Sequence, residues 1–448
     1  MKRLIFIKGG NETLEYFSRE IGIYAAKLGY DIFWWDMTAP LSSREAFLAL
    51  DAKSDAVLFT FNFIGLSGES QFAFSEDIDL FSHYGMRKIC FLVDHPLYYY
   101  TQLEANKPED IFVLFVDEDH LNYFKRFYPE WNKCGYMPLA GNILHRFCLG
   151  EDGGCQKEDE GCRGEDKGCQ KEDGISLSEK TLSIPVDEDM LIYDNINSRG
   201  LTPDQYSLRP IQVLFAGHLI NFKNIEEKIA AADADTREFI YGMLEDMKKD
   251  PQLNLNKALA DRLSEEFPNE SMQVIRKAVH DYGFVDMYIR GYQRQRVLRA
   301  VNAAGIPMTI IGRGWERADF INPDLVTMKK GLWTTECLEH MFNSKVTLNV
   351  LPNFKSGYHD RIFSGMLAGS LVATDSNAYL DRVLISGTNC IKYGLKSDGE
   401  LVDFVGQLNN YLENPMEGYE IAVKGRKMAE SDHTWKNRAE RIFMVTKL

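Results

Sequence analysis

No stretch of this 448-residue chain approaches the ~20 consecutive apolar residues that a membrane-spanning helix needs. Positive charge is in short supply as well. Lys and Arg number 51 against 66 Asp and Glu, a formal net charge of −15, which argues against nucleic acid and anionic membrane surfaces as main partners. The eight cysteines include no C-x-x-C pair, so a zinc site is not expected. Cys90, Cys134, Cys148, Cys337 and Cys390 are scattered, as suits a reducing compartment. No G-x-G-x-x-G fingerprint follows the first strand, which leaves a nicotinamide cofactor without support. No D-x-D motif stands in a suitable strand context, so no metal is expected either. The apolar run Leu4–Ile7 behind Met1-Lys2-Arg3 is too short for a signal peptide. It reads as a first β-strand, and a cytoplasmic location is the expectation.

What is present is globular. The chain is 45% hydrophobic and 26% charged, and long enough for two domains with sizeable cores. In the first half, strand-like runs at Arg3–Ile7, Tyr30–Trp35, Ala56–Phe61, Lys88–Val93 and Ile111–Val116 alternate with helical patterns. That alternation predicts an α/β fold with a parallel sheet wound on both faces, and ligands bind beyond the carboxyl ends of such strands. At two of those ends lie Gly9-Gly10-Asn11 and Asp94-His95-Pro96. Gly10 lets backbone approach a ligand closely, or simply makes a tight turn. Pro96 forces His95 into an extended conformation, which presents it as a general base or an acceptor contact, with a turn capped by Asp94 as the equal alternative.

Residues 154–174 repeat a Gly/Cys/acidic heptad with Cys155, Cys162 and Cys169 in phase. Glycine and the lack of apolar positions rule out a coiled-coil seam, so this reads as a low-complexity loop between domains. A second set of strands begins at Ile211–Ala216, followed by Gly217-His218-Leu219 and Lys223. Residues 224–301 are charged and helical by periodicity, broken near Pro251 and Pro268, and read as a helical insertion on the acceptor side or at a subunit contact, or as a solvated bundle. Pro307–Ile311 ends in Gly312-Arg313-Gly314-Trp315, and Val326–Lys329 in Lys330-Gly331-Leu332-Trp333. From Thr347 the chain reads strand, loop, short amphipathic helix, strand, with Gly369 at the helix C-cap and Asp375 after the last strand. His359-Asp360-Arg361 falls at that helix's N-terminus, where free N–H groups and the dipole favour an anion and arginine adds a bidentate donor.

The stretch G-Y-H-D-R-I-F-S-G-M-L-A-G-S-L-V-A-T-D, residues 357–375, resembles the donor-site signature of CgeB-like glycosyltransferases, within the group-1 glycosyltransferases of the GT-B fold. The resemblance implies two Rossmann-like, doubly wound domains facing a cleft. Residues 1–148 would form the acceptor domain, closed by 432–448. Residues 149–208 would be insertion and linker, and 209–431 the donor domain carrying the helical insertion. It implies transfer of a hexosyl or N-acetylhexosaminyl unit from a nucleotide-diphosphate sugar, UDP-linked in the usual case, to a protein or surface-glycan acceptor, with flagellin one candidate. Arg361 and Lys223 would grip the diphosphate, with Gly217 and His218 where the family places Gly-Arg. Arg313, Gly331 and Trp333 would border the nucleotide. Gly357 opens the signature, Asp375 would contact ribose or sugar, and Gly10 would face the cleft. Two departures stand out: Ser356 and Ser364 occupy positions where many relatives carry glutamates. Ser364 would then contact ribose only weakly. Asp360 would take the acidic role on the sugar hydroxyls next to His359, and an inverting reaction would need Asp94 or His95 as base. A sugar-nucleotide epimerase or hydrolase of the same fold, and a non-catalytic partner subunit, are the alternatives.

Overall fold

Runs of β-branched and aromatic residues form two separate six-stranded sheets, and every strand pair in both is parallel. The computed structural model describes residues 2–76, 78–144, 201–220, 222–351 and 354–447. The first sheet holds β1 (Arg3–Lys8), β2 (Asp31–Asp36), β3 (Ala56–Phe61), β4 (Arg87–Leu92), β5 (Ile111–Phe115) and β6 (Cys134–Tyr136), in the order β2-β1-β3-β4-β5-β6. The second holds β7 (Ile211–Ala216), β8 (Met308–Ile311), β9 (Val326–Lys329), β10 (Ser344–Asn349), β11 (Leu371–Asp375) and β12 (Ile391–Tyr393), in the order β12-β11-β10-β7-β8-β9. Both orders reverse direction partway across, between β1 and β3 and between β7 and β10. That is the doubly wound, Rossmann-like pattern, and a crevice opens at each reversal. All six residues of β3 are buried, as a strand covered on both faces requires. The short β6 has no counterpart in the sequence reading. The heptad segment 154–174 lies outside the described residues.

The two halves are joined by more than the linker. The final helix, Trp435–Thr446, returns to the first domain and packs on the helix Glu12–Lys27. Trp435 meets Phe17 with ring centroids 5.0 Å apart, and Phe443 stacks on Tyr30 at 5.1 Å. The two backbones also touch directly: a Cβ on Gly141 would lie 2.5 Å from the Phe363 carbonyl carbon, and one on Gly357 would lie 2.5 Å from the Val116 carbonyl oxygen.

Residues 222–303 hold helices and no strand, as the periodicity predicts, with Phe222–Ala230, Ala234–Lys249, Met272–Asp281 and Phe284–Ala303 among them and short loops between. Their placement differs from a solvated bundle. Ile229, Met243, Leu259 and Ile275 share one hydrophobic core with Trp35, Leu92, Leu97 and Phe124 of the first domain. Arg276 adds ion pairs to Glu104 and Glu130, and Arg126 pairs with Asp261. The helix Phe284–Ala303 belongs to both halves. Val285 and Ile289 lie in the first domain's core, whereas Val297, Leu298 and Val301 lie in the second's.

Candidate active site

The site is built at the β7/β10 reversal, where the sequence after each of three strands is held in register by its neighbours. Glycine is obligatory in the β8 turn. Gly312 has φ +151° and any Cβ there would strike the Gly217 carbonyl, and Gly314 has φ +93° with a Cβ 2.6 Å from the Leu219 carbonyl oxygen. This close approach lets the turns after β7 and β8 interlock. Leu219 N donates to the Arg313 carbonyl at 2.9 Å, Trp315 Nε1 to the Gly217 carbonyl at 2.7 Å, and Arg313 N to His218 Nδ1 at 2.9 Å. Because Nδ1 accepts, the neutral His218 ring carries its proton on Nε2 and remains a donor. Gly331 lies alongside, its ideal Cβ position 3.7 Å from His218 Cε1.

Arg361 enters from the helix Asp360–Leu367, whose N-cap is His359. Arg361 is 7% exposed, and its guanidinium packs over Phe215, 5.7 Å from the ring centroid. Its Nη1 donates to Asn349 Oδ1 at 2.9 Å, and no carboxylate forms an ion pair with it among the described residues. Arg294 reaches the same place from the helix Phe284–Ala303. Its Nη1 donates to the His218 carbonyl at 2.8 Å, while its Nε is buried without a partner among the described residues. Burial, then the positive charges of Arg361 and Arg290, pulls the Arg294 pKa down to about 9, with Asp286 pulling the other way. Burial also lowers the Arg361 pKa, opposed by Asp360. It lowers that of His218 too, and there Arg294, Arg313 and Arg361 all push in the same direction. Three arginines thus act on one histidine donor, and none of the three forms an ion pair with a carboxylate among the described residues. Cations held out of water are costly unless paired, and Arg361 and Arg294 have no carboxylate ion pair among the described residues, an arrangement whose chemistry suits an anion.

Arg294 is a candidate site residue that the sequence reading missed. The signal was there: Asp286, Arg290 and Arg294 recur every four residues and form one polar stripe. Asp286 pairs with Arg290 and accepts from the Tyr98 hydroxyl, which ties the stripe to the first domain. Lys355 was also missed. It is half-buried, and burial lowers its pKa against the pull of Asp375, Asp286, Asp117 and Asp250.

Several residues singled out from sequence lie elsewhere or have other work. Lys223 is exposed on its helix, 3.8 Å from Glu227, whereas Arg294 is among the charges that act on His218. His95 does not project into the cleft. It is 5% exposed beneath the inserted helices, its Nδ1 accepts from Leu97 N at 3.1 Å, and its Nε2 faces Asn256 Oδ1 at 3.1 Å. Burial, reinforced by His120, holds its pKa well below the usual imidazole range, but both nitrogens are committed, so it has no free lone pair for a substrate. Asp94 is half-buried and accepts from Tyr99 OH at 3.2 Å and Asn62 Nδ2 at 3.4 Å. Gly357 packs on Val116 rather than lining an open site. Ser364 is 1% exposed and its Oγ accepts from Asn142 N at 2.9 Å, which removes it as a ribose contact. Asp360 is likewise engaged at both oxygens, 2.7 Å from His359 Nδ1 and 3.0 Å from Asn142 Nδ2, and is not free for sugar hydroxyls.

Asp375 ends β11, where it accepts from Leu351 N at 2.7 Å. Burial pushes its pKa up to about 6. Trp333 is 62% exposed at the start of the helix Thr334–Phe342. The neighbouring Thr334 donates from N and Oγ1 to the Glu12 carboxylate of the first domain, at 3.0 and 2.7 Å. Gly10 lines a small recess with Asn11, Leu14 and Ile64 at the first sheet's own reversal.

A family model described as glycosyl transferase-like matches residues 293–444, a span that contains Arg294, Arg313, Arg361 and Asp375. No curated protein matches the chain. Among solved structures it is similar to the sucrose-phosphate synthase from Thermosynechococcus elongatus, at 11% identity over 100% of this chain and 98% of that one, with a TM-score of 0.47. It is similar to Anabaena HepE in complex with UDP-glucose at 10% identity over 100% of both chains, TM-score 0.46. Similarity extends to the pneumococcal O-GlcNAc transferase GtfA in complex with UDP and GlcNAc, at 9% identity over 90% of this chain and 59% of that one, TM-score 0.41.

Proposed function

We propose that the chain is a glycosyltransferase that binds a nucleotide-diphosphate sugar at the β7/β10 crevice and passes the sugar to an acceptor held toward the first domain. The observation that carries this is that Arg361, Arg294 and Arg313 all act on His218, with no carboxylate ion pair to any of the three among the described residues. A diphosphate fits such a site in charge and in geometry, since arginine forks match phosphate oxygens. When the bond between sugar and phosphate breaks, charge grows on the leaving diphosphate. Preorganised donors in a water-poor site stabilise that charge, each worth about 2.7–4 kcal/mol of barrier in comparable sites. Arg361, Arg294 and the Nε2–H of His218 supply them from the chain itself, so we infer that no metal is required. The glycosyl transferase-like match over residues 293–444 supports the same reaction class.

The finer reading is a UDP-linked hexosyl or N-acetylhexosaminyl donor, with Gly331 and Trp333 beside the base, and a protein or surface-glycan acceptor such as flagellin. The four described cysteines are all free thiols, which suits a cytoplasmic setting. No helix among the described residues is long and apolar enough to cross a membrane. The test is calorimetry with UDP, GDP and inorganic diphosphate, followed by product analysis with UDP-glucose and UDP-GlcNAc. Saturable UDP binding that Arg361→Met abolishes is the expected result. The absence of binding by any nucleoside diphosphate rejects the function.

A further inference from the structure

We propose that His359 is the base that takes the proton from the incoming hydroxyl, and that Asn142 and Trp435 are the positioning residues that hold Asp360 against it. This rests on the sugar-transfer reading above. The argument begins at the indole, which can only donate. Trp435 Nε1 donates to the Asn142 side-chain oxygen at 2.8 Å. That fixes the amide's orientation and leaves its nitrogen to donate to Asp360 Oδ2 at 3.0 Å. Asn142 is 2% exposed, and its backbone N–H is held by Ser364 Oγ at 2.9 Å, so the amide has no freedom to turn.

Asp360 Oδ1 is then left for His359 Nδ1, 2.7 Å away. The competing contact, from Arg361 N to the same ring nitrogen, is 3.3 Å long. A charged acceptor at the shorter distance draws the imidazole proton to Nδ1, which places the lone pair on Nε2. Nε2 has no partner among the described residues and is not sealed from solvent, and the side chain is 31% exposed. The charged groups facing the ring are Asp360 and Arg361 on its own helix and Arg294 from the helix Phe284–Ala303. Burial and then Arg361 keep the imidazole neutral against the pull of Asp360. Burial works against ionisation of Asp360, but His359 and Arg361 outweigh it, so the carboxylate stays charged.

In a direct displacement the hydroxyl proton passes to Nε2, and the oxygen's electron pair forms the new bond to the anomeric carbon. The bond from that carbon to the diphosphate oxygen breaks, and its pair leaves on the phosphate beside Arg361 and Arg294. Neither Asp94 nor His95 is needed. The helix Trp435–Thr446, which closes the first domain, reaches the reacting groups through one asparagine.

The tautomer can be read without knowing the acceptor. Two-bond nitrogen-15 NMR spectra of the histidine-labelled full chain, assigned with His359→Gln, are expected to show His359 neutral with its proton on Nδ1. Asn142→Leu and the milder Trp435→Phe should shift it toward the Nε2–H form while UDP affinity stays within about twofold of wild type. Hydrolysis of UDP-glucose, with water as acceptor, should fall about 100-fold in His359→Gln and about tenfold in Asn142→Leu. A wild-type ring protonated on Nε2 while UDP binds overturns the base and spares the donor reading. An unchanged tautomer in both positioning variants overturns the role of Asn142 and Trp435. A ring protonated on Nδ1 in a chain that binds no UDP rejects the sugar-transfer reading instead.

Discussion

Replacing Arg294 by methionine keeps the aliphatic stem and removes the fork, and the structure gives opposite signs for its two consequences. In the unbound chain the substitution loses one hydrogen bond to the His218 carbonyl, about 1 kcal/mol. It also removes a guanidinium that burial, Arg361 and Arg290 all disfavour. The terms oppose each other, so the melting point should move by no more than about 3 °C. With a diphosphate bound there is no such compensation. A charge-assisted hydrogen bond is worth about 1.5–3 kcal/mol, which is roughly 10- to 100-fold in affinity. Calorimetry with UDP measures the second effect and melting curves without ligand the first. Lys223→Met is the matched control. Its ammonium is exposed, on the helix after β7 and 3.8 Å from Glu227, so a loss of UDP affinity in Arg294→Met that exceeds the loss in Lys223→Met is the expected result. UDP affinity in a folded Arg294→Met chain equal to that of wild type would refute the anion site as drawn here.

Three more outcomes follow from the packing. His120 is 3% exposed and burial lowers its pKa to about 3, so protonation favours the unfolded chain and stability is lost as pH falls below ~6.5. His120→Phe keeps the ring contact with Phe354 and should raise stability at pH 5 by about 2 kcal/mol relative to wild type, with little effect at pH 8; parallel melting profiles across that range would contradict it. Gly312→Ala forces a side chain into left-handed backbone against the Gly217 carbonyl and should cost about 1–3 kcal/mol along with UDP binding. An alanine variant with wild-type melting and affinity would show the interlock to be dispensable. Ser364→Glu introduces the residue that the resemblance implies at this position but buries a charge and displaces Asn142 N. It should lower the melting point and leave UDP affinity no better, and tighter UDP binding in that variant would count against the placement of Ser364.

The strands other than the short β6, the two-sheet architecture and the helix opened by His359, Asp360 and Arg361 were legible because each rests on local pattern: β-rich runs, glycine turns and short periodic helices. Arg361 could be placed for the same reason, since a helix N-terminus after a strand carries its chemistry with it. Long-range packing was not legible. Nothing local distinguishes Arg294 from other charged residues of its helix; only the docking of that helix between two domains turns its stripe inward. The same docking covers His95 with Asn256 and so reverses a reading that was sound for an isolated strand end. Gly357 and Ser364 looked like ligand contacts by position in a motif, but the first domain approaches closely enough to occupy both. Asp360 is engaged through Asn142, more than two hundred residues away in the chain, a partnership no spacing rule contains.

The helix Phe284–Ala303 acts as a strut. Its first turns are embedded in one core and its last turns in the other. A hinge at the linker alone cannot swing the domains apart, because such a swing must bend twenty residues of continuous helix or pull Val285 and Ile289 out of their packing. The Tyr98–Asp286–Arg290 network rides on the embedded end, and Arg294 sits two turns beyond Asp286, at the β7/β10 crevice. Bending that opens the crevice therefore strains the contact to Tyr98, and a rigid spacer of this kind couples displacement of one domain to the other.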